Sequence, residues 1–299
     1  MNKVIKLTPI IKSYIWGGDY FKPYRKGEFD NISESWELSL REGNNVFVEA
    51  FDKPLNELIS DDDLGPNCKR FPYFPLLIKL IDARDNLSIQ VHPSDDYALK
   101  YENSFGKSEM WHIIDADKDA GLYVGLNKDY SKEEIEKHLK DSSILECLNF
   151  YKVKPGDTFL INPGTIHAIG KGVRLIEIQQ NSDLTYRLYD YLRKDKNGNY
   201  RELHIDKALK VIDYHKYELN KSSGDLLANN QYFKVERKEF KGELVIKADE
   251  GSFKSFTFIK GRGKVDDIDY QEYDTFFLPY NVTTKIKGEG IVIISSVNK

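Results

Sequence analysis

The segment SIQVHPSD, residues 88–95, places an amide and an imidazole on the same side of a predicted strand. It follows the apolar run FPLLIKLIDA, and its alternation predicts that Gln90 and His92 face one way while their apolar neighbours face the other. Along one strand face two such side chains are about 6–7 Å apart, which is close enough to bind one ligand together. Pro93 is expected to end the strand directly after the histidine.

Two further segments carry matching side chains. Glu109 lies in GKSEMWHII at the start of an apolar segment, and His167 follows a Pro-Gly turn in NPGTIHAIGKG. With Gln90 and His92 they supply two imidazole nitrogens, a carboxylate and an amide oxygen, a donor set that suits zinc, with manganese, iron or cobalt as substitutes. Because no cysteine accompanies them, an open site for substrate or water is favoured over a closed structural zinc site.

The alternative interpretation is structural. In that case His92 and His167 only cap strands, Gln90 satisfies backbone groups and Glu109 belongs to a surface turn. The segment IEIQQNSDLTYRLYDY, residues 176–191, favours the metal site, since Asp183 and Arg187 share parity with Thr185 on an extended chain. Such a pair on a surface contributes little, whereas beside a metal the guanidinium could stabilise a developing oxyanion or hold a phosphate.

Composition limits the function classes. The 299 residues contain 44 Lys and Arg against 48 Asp and Glu, a net charge of −4, and the charges are interspersed. This balance argues against nucleic acid and acidic membranes as partners, but it does not exclude a phosphorylated small molecule. No signal peptide or membrane-spanning stretch is predicted, and the two cysteines, Cys68 and Cys147, match no zinc-finger spacing, so we expect a cytoplasmic protein.

The chain organisation predicts an all-β protein with a few short helices. Alternating segments such as DTFLINPG, VRLIEIQQ and KSFTFIKG recur between turn residues, which is typical of barrels and sandwiches. Helices are predicted in DDYALKYENSFG, ELHIDKALKVI and SKEEIEKHLKDS, the last with a capping box formed by Ser131 and Glu134.

A domain boundary is predicted in the turn-rich stretch LNKSSGDLLANN, residues 219–230. It divides the chain into a larger domain, residues 1–220, and a small β domain, residues 221–299. A weak repeat agrees with this division, because GDTFLINPGTIHAI resembles YDTFFLPYNVTTKI, with Thr283 or Thr284 where the first copy has His167. Chance similarity of two hairpins is the alternative.

Together these segments resemble the type I mannose-6-phosphate isomerases, particularly the short bacterial form. The resemblance rests on WGG, SESWELS, SIQVHP, GKSEMW, GTIHAIGKG and IEIQQNSDLTYRLYD, which occur in this order across the predicted first domain. It implies a cupin (jelly-roll) barrel that carries the metal site, followed by a second, smaller and degenerate cupin-like β domain without metal ligands.

The resemblance also implies residue roles. Its zinc ligands correspond to His92, Glu109 and His167, with Gln90 matching the fourth ligand of the longer forms. Arg187 matches a catalytic arginine, and Lys107 matches a lysine near the substrate. Our candidates for the remaining roles are Asp183 as general base, ahead of Glu177 or a metal-bound water, and for substrate contacts Trp16, Ser33 and Ser35.

The implied reaction interconverts mannose 6-phosphate and fructose 6-phosphate through an enediolate. The sequence departs from the general cupin pattern, since Gln90 replaces the first histidine and Glu109 follows only after a helix-like insertion. Two alternatives are kept, namely another metal-dependent cupin enzyme such as an iron(II) dioxygenase and a non-catalytic cupin that binds a sugar phosphate. The sequence does not indicate the oligomeric state.

Overall fold

The computed structural model describes residues 1–194, 197–219 and 224–299. Strands dominate and helices are few and short, which confirms the predicted all-β class. In chain order, strands β1 to β22 are Ile5–Thr8, Ile10–Lys12, Glu34–Leu38, Leu40–Arg41, Asn44–Asn45, Phe47–Val48, Lys53–Pro54, Leu76–Ala83, Ile89–Val91, Glu109–Ala116, Gly121–Leu126, Leu148–Lys152, Thr158–Ile161, His167–Ile169, Val173–Gln180, Tyr186–Tyr189, Leu226–Asn229, Phe233–Lys247, Lys254–Val265, Ile268–Tyr270, Thr275–Leu278 and Thr283–Val297.

The α-helices α1 to α4 are Asp61–Leu64, Asp95–Tyr101, Lys132–Lys140 and Ile205–Ala208, and short 3₁₀ helices occur at Lys22–Tyr24, Leu55–Glu57, Pro66–Arg70 and Ile144–Cys147. The predicted capping box of α3 is present, since the Glu134 amide donates to Ser131 Oγ and the Ser131 amide donates to Glu134 Oε2. Helix α4 is shorter than its predicted segment, and the chain continues in turns to Ile212. Among the described residues, no helix combines the length and the apolar character that crossing a membrane requires.

Two antiparallel sheets form the first barrel. One has the strand order β13-β10-β15-β8-β3-β2 and the other the order β12-β11-β14-β9-β16. Side chains from both sheets share one buried cluster, which includes Ile81, Trp111 and Leu175 from the first sheet and Leu122 and Ile169 from the second. The sheets therefore pack face to face, and alternate residues of each strand point into the space between them.

The largest sheet unites the two ends of the chain. Its strand order is β17-β18-β22-β19-β21-β1-β6-β7, with β20 paired to β19. Strand β1 pairs antiparallel with β21, so that Ile5 lies opposite Phe277. The N-terminal strand thus belongs to the same sheet as the C-terminal strands. The division into residues 1–220 and 221–299 stays a prediction, and residues 220–223 at its boundary lie outside the described residues.

The predicted repeat has similar local structure in its two copies. Strands β13 and β14 flank the turn of the first copy, and β21 and the start of β22 flank that of the second. Thr284 occupies the position that corresponds to His167 and is buried beside a packed aromatic and aliphatic core that includes Phe256, Phe258 and Phe276.

A buried ion pair joins the first barrel to the C-terminal strands. Glu37 Oε1 accepts from Arg25 Nη2 at 2.6 Å and from Ser35 Oγ at 2.6 Å, and Glu37 Oε2 accepts from Thr275 Oγ1 at 2.9 Å. Burial raises the pKa of Glu37, although Arg25 and the two hydroxyl groups oppose this rise. Since Thr275 begins β21, this carboxylate links β3 to the large sheet.

Replacing Arg25 by Met should leave the Glu37 carboxylate buried without its cation, and the free energy of unfolding should fall by about 3–5 kcal/mol. Urea denaturation measures this loss. The matched control is Lys26→Met, because Lys26 is an exposed neighbour whose pair with Glu49 lies at the surface and should contribute little. An equal loss in both variants would contradict the assignment.

His112 responds to pH through its burial. It lies on β10 and is 1% exposed, and a hydrogen bond of 2.8 Å joins its Nδ1 to Thr158 Oγ1. Burial, with a smaller contribution from Arg237, lowers its pKa to about 4. The unfolded chain therefore binds a proton at this residue between about pH 6.5 and 4, where the folded protein does not.

The stabilising contribution of neutral His112 is complete above pH 6.5 and is lost as the pH falls towards 4, a change of about 3 kcal/mol. His112→Gln should flatten this part of the stability profile while keeping a hydrogen bond to Thr158. Urea midpoints recorded for both proteins across this range measure the difference. Parallel profiles would show that His112 does not titrate as described.

Candidate metal centre and its cavity

Three predicted ligands converge inside the first barrel. His92 directly follows β9, His167 begins β14 in the same sheet, and Glu109 begins β10 in the opposite sheet. Their ligand atoms all lie within 4.8 Å of one another, and the three residues are at most 1% exposed. The predicted alternation in the segment SIQVHPSD is therefore confirmed, since Ile89 and Val91 pack in a different cluster.

Backbone carbonyls orient both imidazole rings. His92 Nδ1 lies 2.9 Å from Leu184 O, and His167 Nδ1 lies 2.8 Å from Thr165 O. A carbonyl can only accept, so Nδ1 of each ring carries a proton, and Nε2 is the ring atom that remains to ligate a metal. The two Nε2 atoms are 3.2 Å apart and both point towards Glu109. Metal-ligating histidines are commonly fixed in this way.

The carboxylate of Glu109 is charged in spite of its burial. Burial by itself raises its pKa, but the neighbouring groups, above all the ammonium of Lys107, outweigh this effect and hold the pKa well below its usual range. Lys107 Nζ donates to Glu109 Oε2 at 2.5 Å and lies 3.3 Å from His92 Nε2. Burial and the same ammonium hold the pKa of His92 well below its usual range, so the ring is neutral and able to ligate.

Gln90 lies beside this group. It is opposite His167 in the pairing of β9 with β14, and its Nε2 lies 3.4 Å from His167 Nε2. An amide flip would exchange this nitrogen for Oε1, which is the atom that could ligate a cation. Its role as a fourth ligand stays a prediction.

A cavity of about 460 Å³ reaches Gln90 and Lys107, which contact the three ligands. Among the predicted site residues, its lining includes Trp16, Gln90, Lys107, Asp183 and Arg187. The structure thus brings these side chains together around one space, although they come from distant parts of the chain. Three larger cavities of about 550, 580 and 620 Å³ lie elsewhere and are lined by none of the predicted site residues.

Two of the predicted residues differ in their surroundings. The side chain of Asp183 is 62% exposed, and its Oδ1 forms an ion pair with Arg41 Nη2 at a distance of 2.7 Å. Arg187 is held by Ser88 Oγ and by the carbonyl of Glu202, and among the described residues it has no carboxylate within 4.0 Å. Its guanidinium therefore lines the cavity without a direct ion pair among the described residues, although Asp190 and Glu202 act on its charge from a greater distance.

Ser33 and Ser35 lie on the other face of β3. Ser33 Oγ bonds to Tyr14 and Asn31, and Ser35 Oγ bonds to Arg25 and Glu37. The lining of the cavity comes instead from the alternate residues of β3, Glu34 and Trp36. Direct substrate contacts by the two serines therefore have no support in the side-chain directions.

Lys79 is a cavity residue that the sequence analysis missed. Its Nζ lies 3.3 Å from Glu177 Oε1 and 3.5 Å from Glu34 Oε2, and the side chain is 9% exposed. Burial by itself lowers the pKa of Lys79, but these carboxylates raise it more, so that it lies above its usual range. The sequence signal for this residue is its place inside the apolar run FPLLIKLIDA, because burying an ammonium group there is unfavourable without an acidic partner.

The fold and the site together define a protein of the cupin class with a group of side chains that could bind a metal ion. A jelly-roll barrel holds two imidazoles and a carboxylate at one point, beside a cavity with several charged side chains.

Comparisons with known proteins identify the family. The chain is 35% identical over 306 residues to the mannose-6-phosphate isomerase ManA of Bacillus subtilis, with 96% of each chain covered. A crystal structure of the mannose 6-phosphate isomerase from Bacillus subtilis aligns over 99% of both chains with a TM-score of 0.85 and 32% identity. The apo mannose 6-phosphate isomerase of Salmonella typhimurium, at 15% identity and full coverage of both chains, shares the fold with a TM-score of 0.79.

No protein-family model matches the chain. The identity to these relatives over nearly the whole chain nevertheless identifies the family. The chain belongs to the mannose-6-phosphate isomerase family. The predicted resemblance and the predicted cupin fold are both confirmed.

Replacing His92 by Ala should weaken the binding of a divalent metal by more than about 100-fold, because a direct ligand contributes more than the outer partners, whose loss costs 10–100-fold. Metal content after dialysis, measured by mass spectrometry, records this loss. His138→Ala is the control, since His138 lies on α3 and bonds to Ser143, outside the centre. Equal metal content in wild type and His92→Ala would contradict the ligand role.

Proposed function

We propose that the protein is a metal-dependent aldose-ketose isomerase that interconverts mannose 6-phosphate and fructose 6-phosphate. One observation carries the proposal beyond family membership, namely the convergence of His92, Glu109 and His167 beside a cavity lined by positive side chains. Glu109 Oε1 is fully buried and, within the described part of the chain, has no hydrogen-bond partner. Such an oxygen fits a site that takes a cation.

We further propose that the cation is zinc. Two imidazoles with one carboxylate are a common ligand set for catalytic zinc, and the amide oxygen of Gln90 is the proposed fourth donor. Manganese, iron or cobalt would suit the same donors. When bound, the metal supplies Lewis-acid stabilisation of negative charge on the substrate oxygens at C1 and C2.

Arg187 is proposed to hold negative charge in the same cavity. Burial and the nearby guanidinium of Arg201 lower the pKa of Arg187, but an arginine stays protonated at neutral pH. Because no carboxylate of the described residues forms a direct ion pair with it, an anionic ligand such as the enediolate or the phosphate would add to the compensation by Asp190 and Glu202. Arg201 also lines the cavity and adds to this positive potential.

Two carboxylates are candidates for the proton transfer between C2 and C1. Asp183 is our predicted general base, but it is largely exposed and is paired with Arg41. Glu177 lines the same cavity and is 3% exposed, with Lys79 Nζ 3.3 Å and Lys107 Nζ 3.8 Å from its Oε1. Trp111 Nε1 donates to Glu177 Oε2 at 2.8 Å and fixes the carboxylate. This fixed position, shielded from water, favours Glu177 as the second candidate.

The two alternative functions are not favoured. Relatives over most of the chain are mannose-6-phosphate isomerases, the three predicted ligands converge in one buried group, and Gln90, Lys107 and Arg187 line one cavity. The assay that tests the proposal follows fructose 6-phosphate formation from mannose 6-phosphate by the metal-loaded protein. We expect turnover with the phosphorylated sugar and no oxygen consumption. Binding without turnover would support the sugar-phosphate-binding cupin, and oxygen consumption would support a dioxygenase.

Replacing Arg187 by Ala should lower kcat about 10²–10³-fold, the range observed when one charge-stabilising donor is removed from an active site. The metal content should not change, because Arg187 contacts Ser88 and Glu202 rather than the ligands. Arg187→Lys keeps the charge without the planar donor group, so its kcat should lie between those of the wild type and Arg187→Ala. Loss of metal in Arg187→Ala would contradict a role confined to the substrate.

A further inference from the structure

The loop that brings Lys107 and Glu109 into the metal centre is held mainly through its backbone. It connects α2 to β10, and its successive amides have partners from outside the loop. The Gly106 amide donates to Asp95 Oδ1 at 2.8 Å, and the Lys107 amide donates to the carbonyl of Pro93 at 3.2 Å. The Ser108 amide donates to Gln180 Oε1 at 2.8 Å. These contacts set the position of the two side chains that follow.

Gly106 shows how closely this loop approaches the start of α2. A Cβ at this position would lie 2.5 Å from the backbone nitrogen of Asp95 and 2.6 Å from the carbonyl carbon of Ser94. Backbone atoms cannot move aside as a flexible side chain would, so only glycine fits. The distance between Asp95 and the loop is therefore tightly constrained.

Asp95 is the centre of a small network. Besides the Gly106 amide, its carboxylate accepts from Gln180 Nε2 at 3.1 Å and from the hydroxyl of Tyr232 at 2.8 Å. The side chain of Gln180 is buried and bonds at its other end to the Ser108 amide. Asp95 thus holds the loop at Gly106 directly and at Ser108 through Gln180.

The hydroxyl of Tyr232 comes from the C-terminal part of the chain. Tyr232 lies in the turn between β17 and β18, and burial together with Asp95 raises the pKa of its phenol, which remains a hydrogen-bond donor. Asn230 in the same turn accepts from the amides of Tyr232 and Phe233, and its Nδ2 donates to Ser108 Oγ at 3.2 Å. Two side chains of one turn therefore contact the metal-centre loop.

We propose that the turn Asn230–Tyr232 positions the metal centre, with Tyr232 acting through Asp95 on the loop that carries Lys107 and Glu109. Neither Tyr232 nor Asp95 belongs to the ligand group, so both are positioning residues. The inference rests on the proposed metal site. It assigns the C-terminal strands a function in the reaction although they contain no metal ligand of their own.

The test compares Tyr232→Phe, Asp95→Ala and the double variant in the full-length protein. Zn²⁺ affinity is measured by competition with a chelator, and amide hydrogen exchange of residues 106–109 is measured in the metal-free protein. Tyr232→Phe should weaken Zn²⁺ binding about tenfold, the lower end of the range for outer partners of ligands, and should speed exchange in the loop. It should lower kcat more than it raises KM, because the displaced groups act on the reacting atoms.

The double variant tests whether Tyr232 acts through Asp95. If it does, Tyr232→Phe should have no additional effect on Zn²⁺ affinity in the Asp95→Ala background. Additive effects would overturn this route. Should Asp95→Ala fail to fold, the measurements on Tyr232→Phe alone still decide whether the turn positions the loop.

Tyr24→Phe is the matched control, since the Tyr24 hydroxyl donates to Glu272 at 3.4 Å and thereby also joins the first barrel to the C-terminal strands, but away from the loop. It should leave Zn²⁺ affinity and loop exchange unchanged. A Tyr232→Phe protein with a lowered Tm but unaltered Zn²⁺ affinity and exchange would overturn the proposal. Because neither measurement uses a sugar phosphate, failure of the proposed isomerase activity would be recognised separately.

Discussion

The structure depends on one demanding arrangement, the burial of a charged carboxylate beside two imidazole rings. Glu109 is fully buried, and a carboxylate in such a place is stable only with compensating charge and hydrogen bonds. Lys107 supplies the positive charge, while the carbonyls of Leu184 and Thr165 fix the two rings. A bound cation would complete this balance. The jelly-roll barrel serves the arrangement because its two sheets bring His92 and His167 opposite Glu109.

The same balance of charge extends along the cavity. Lys79 lies between the half-buried Glu34 and the buried Glu177, so its charge is compensated by carboxylates from β3 and β15. Strand β3 has a second function on its other face, where Glu37 pairs with Arg25 and Thr275. Its pairing with β8 shifts register after Trp36. A single short strand thus connects the cavity to the sheet that contains the C-terminal strands.

Much of the site could be predicted from the sequence. The period of two in SIQVHPSD was sufficient to place Gln90 and His92 on one face, and the donor types of Glu109 and His167 indicated the metal. Parity alone does not decide which face of β3 lines the cavity. The predicted substrate contacts are Ser33 and Ser35, whereas Glu34 and Trp36 line the cavity. Only the packing of the sheet against its neighbours determines that choice.

The pairing of strands that are far apart in the sequence could not be predicted either. Strand β1 lies in a sheet with strands more than 250 residues away, and nothing local in IKLT specifies β21 as its partner. Likewise, the exposure of Asp183 and its pairing with Arg41 depend on a contact between distant segments. The shared parity of Asp183 and Arg187 predicted that they face the same way, and both line the cavity. It did not predict that the Asp183 carboxylate is exposed to solvent.

The central claim is that the buried His/Glu/His group holds the metal on which isomerisation depends. The most direct measurement titrates chelator-treated protein with Zn²⁺ while recording bound metal and the conversion of mannose 6-phosphate together. The account predicts no activity without metal, and a joint rise of both signals that saturates at one metal per chain. Full activity in the metal-free protein, or metal binding that leaves a folded protein inactive, would contradict it.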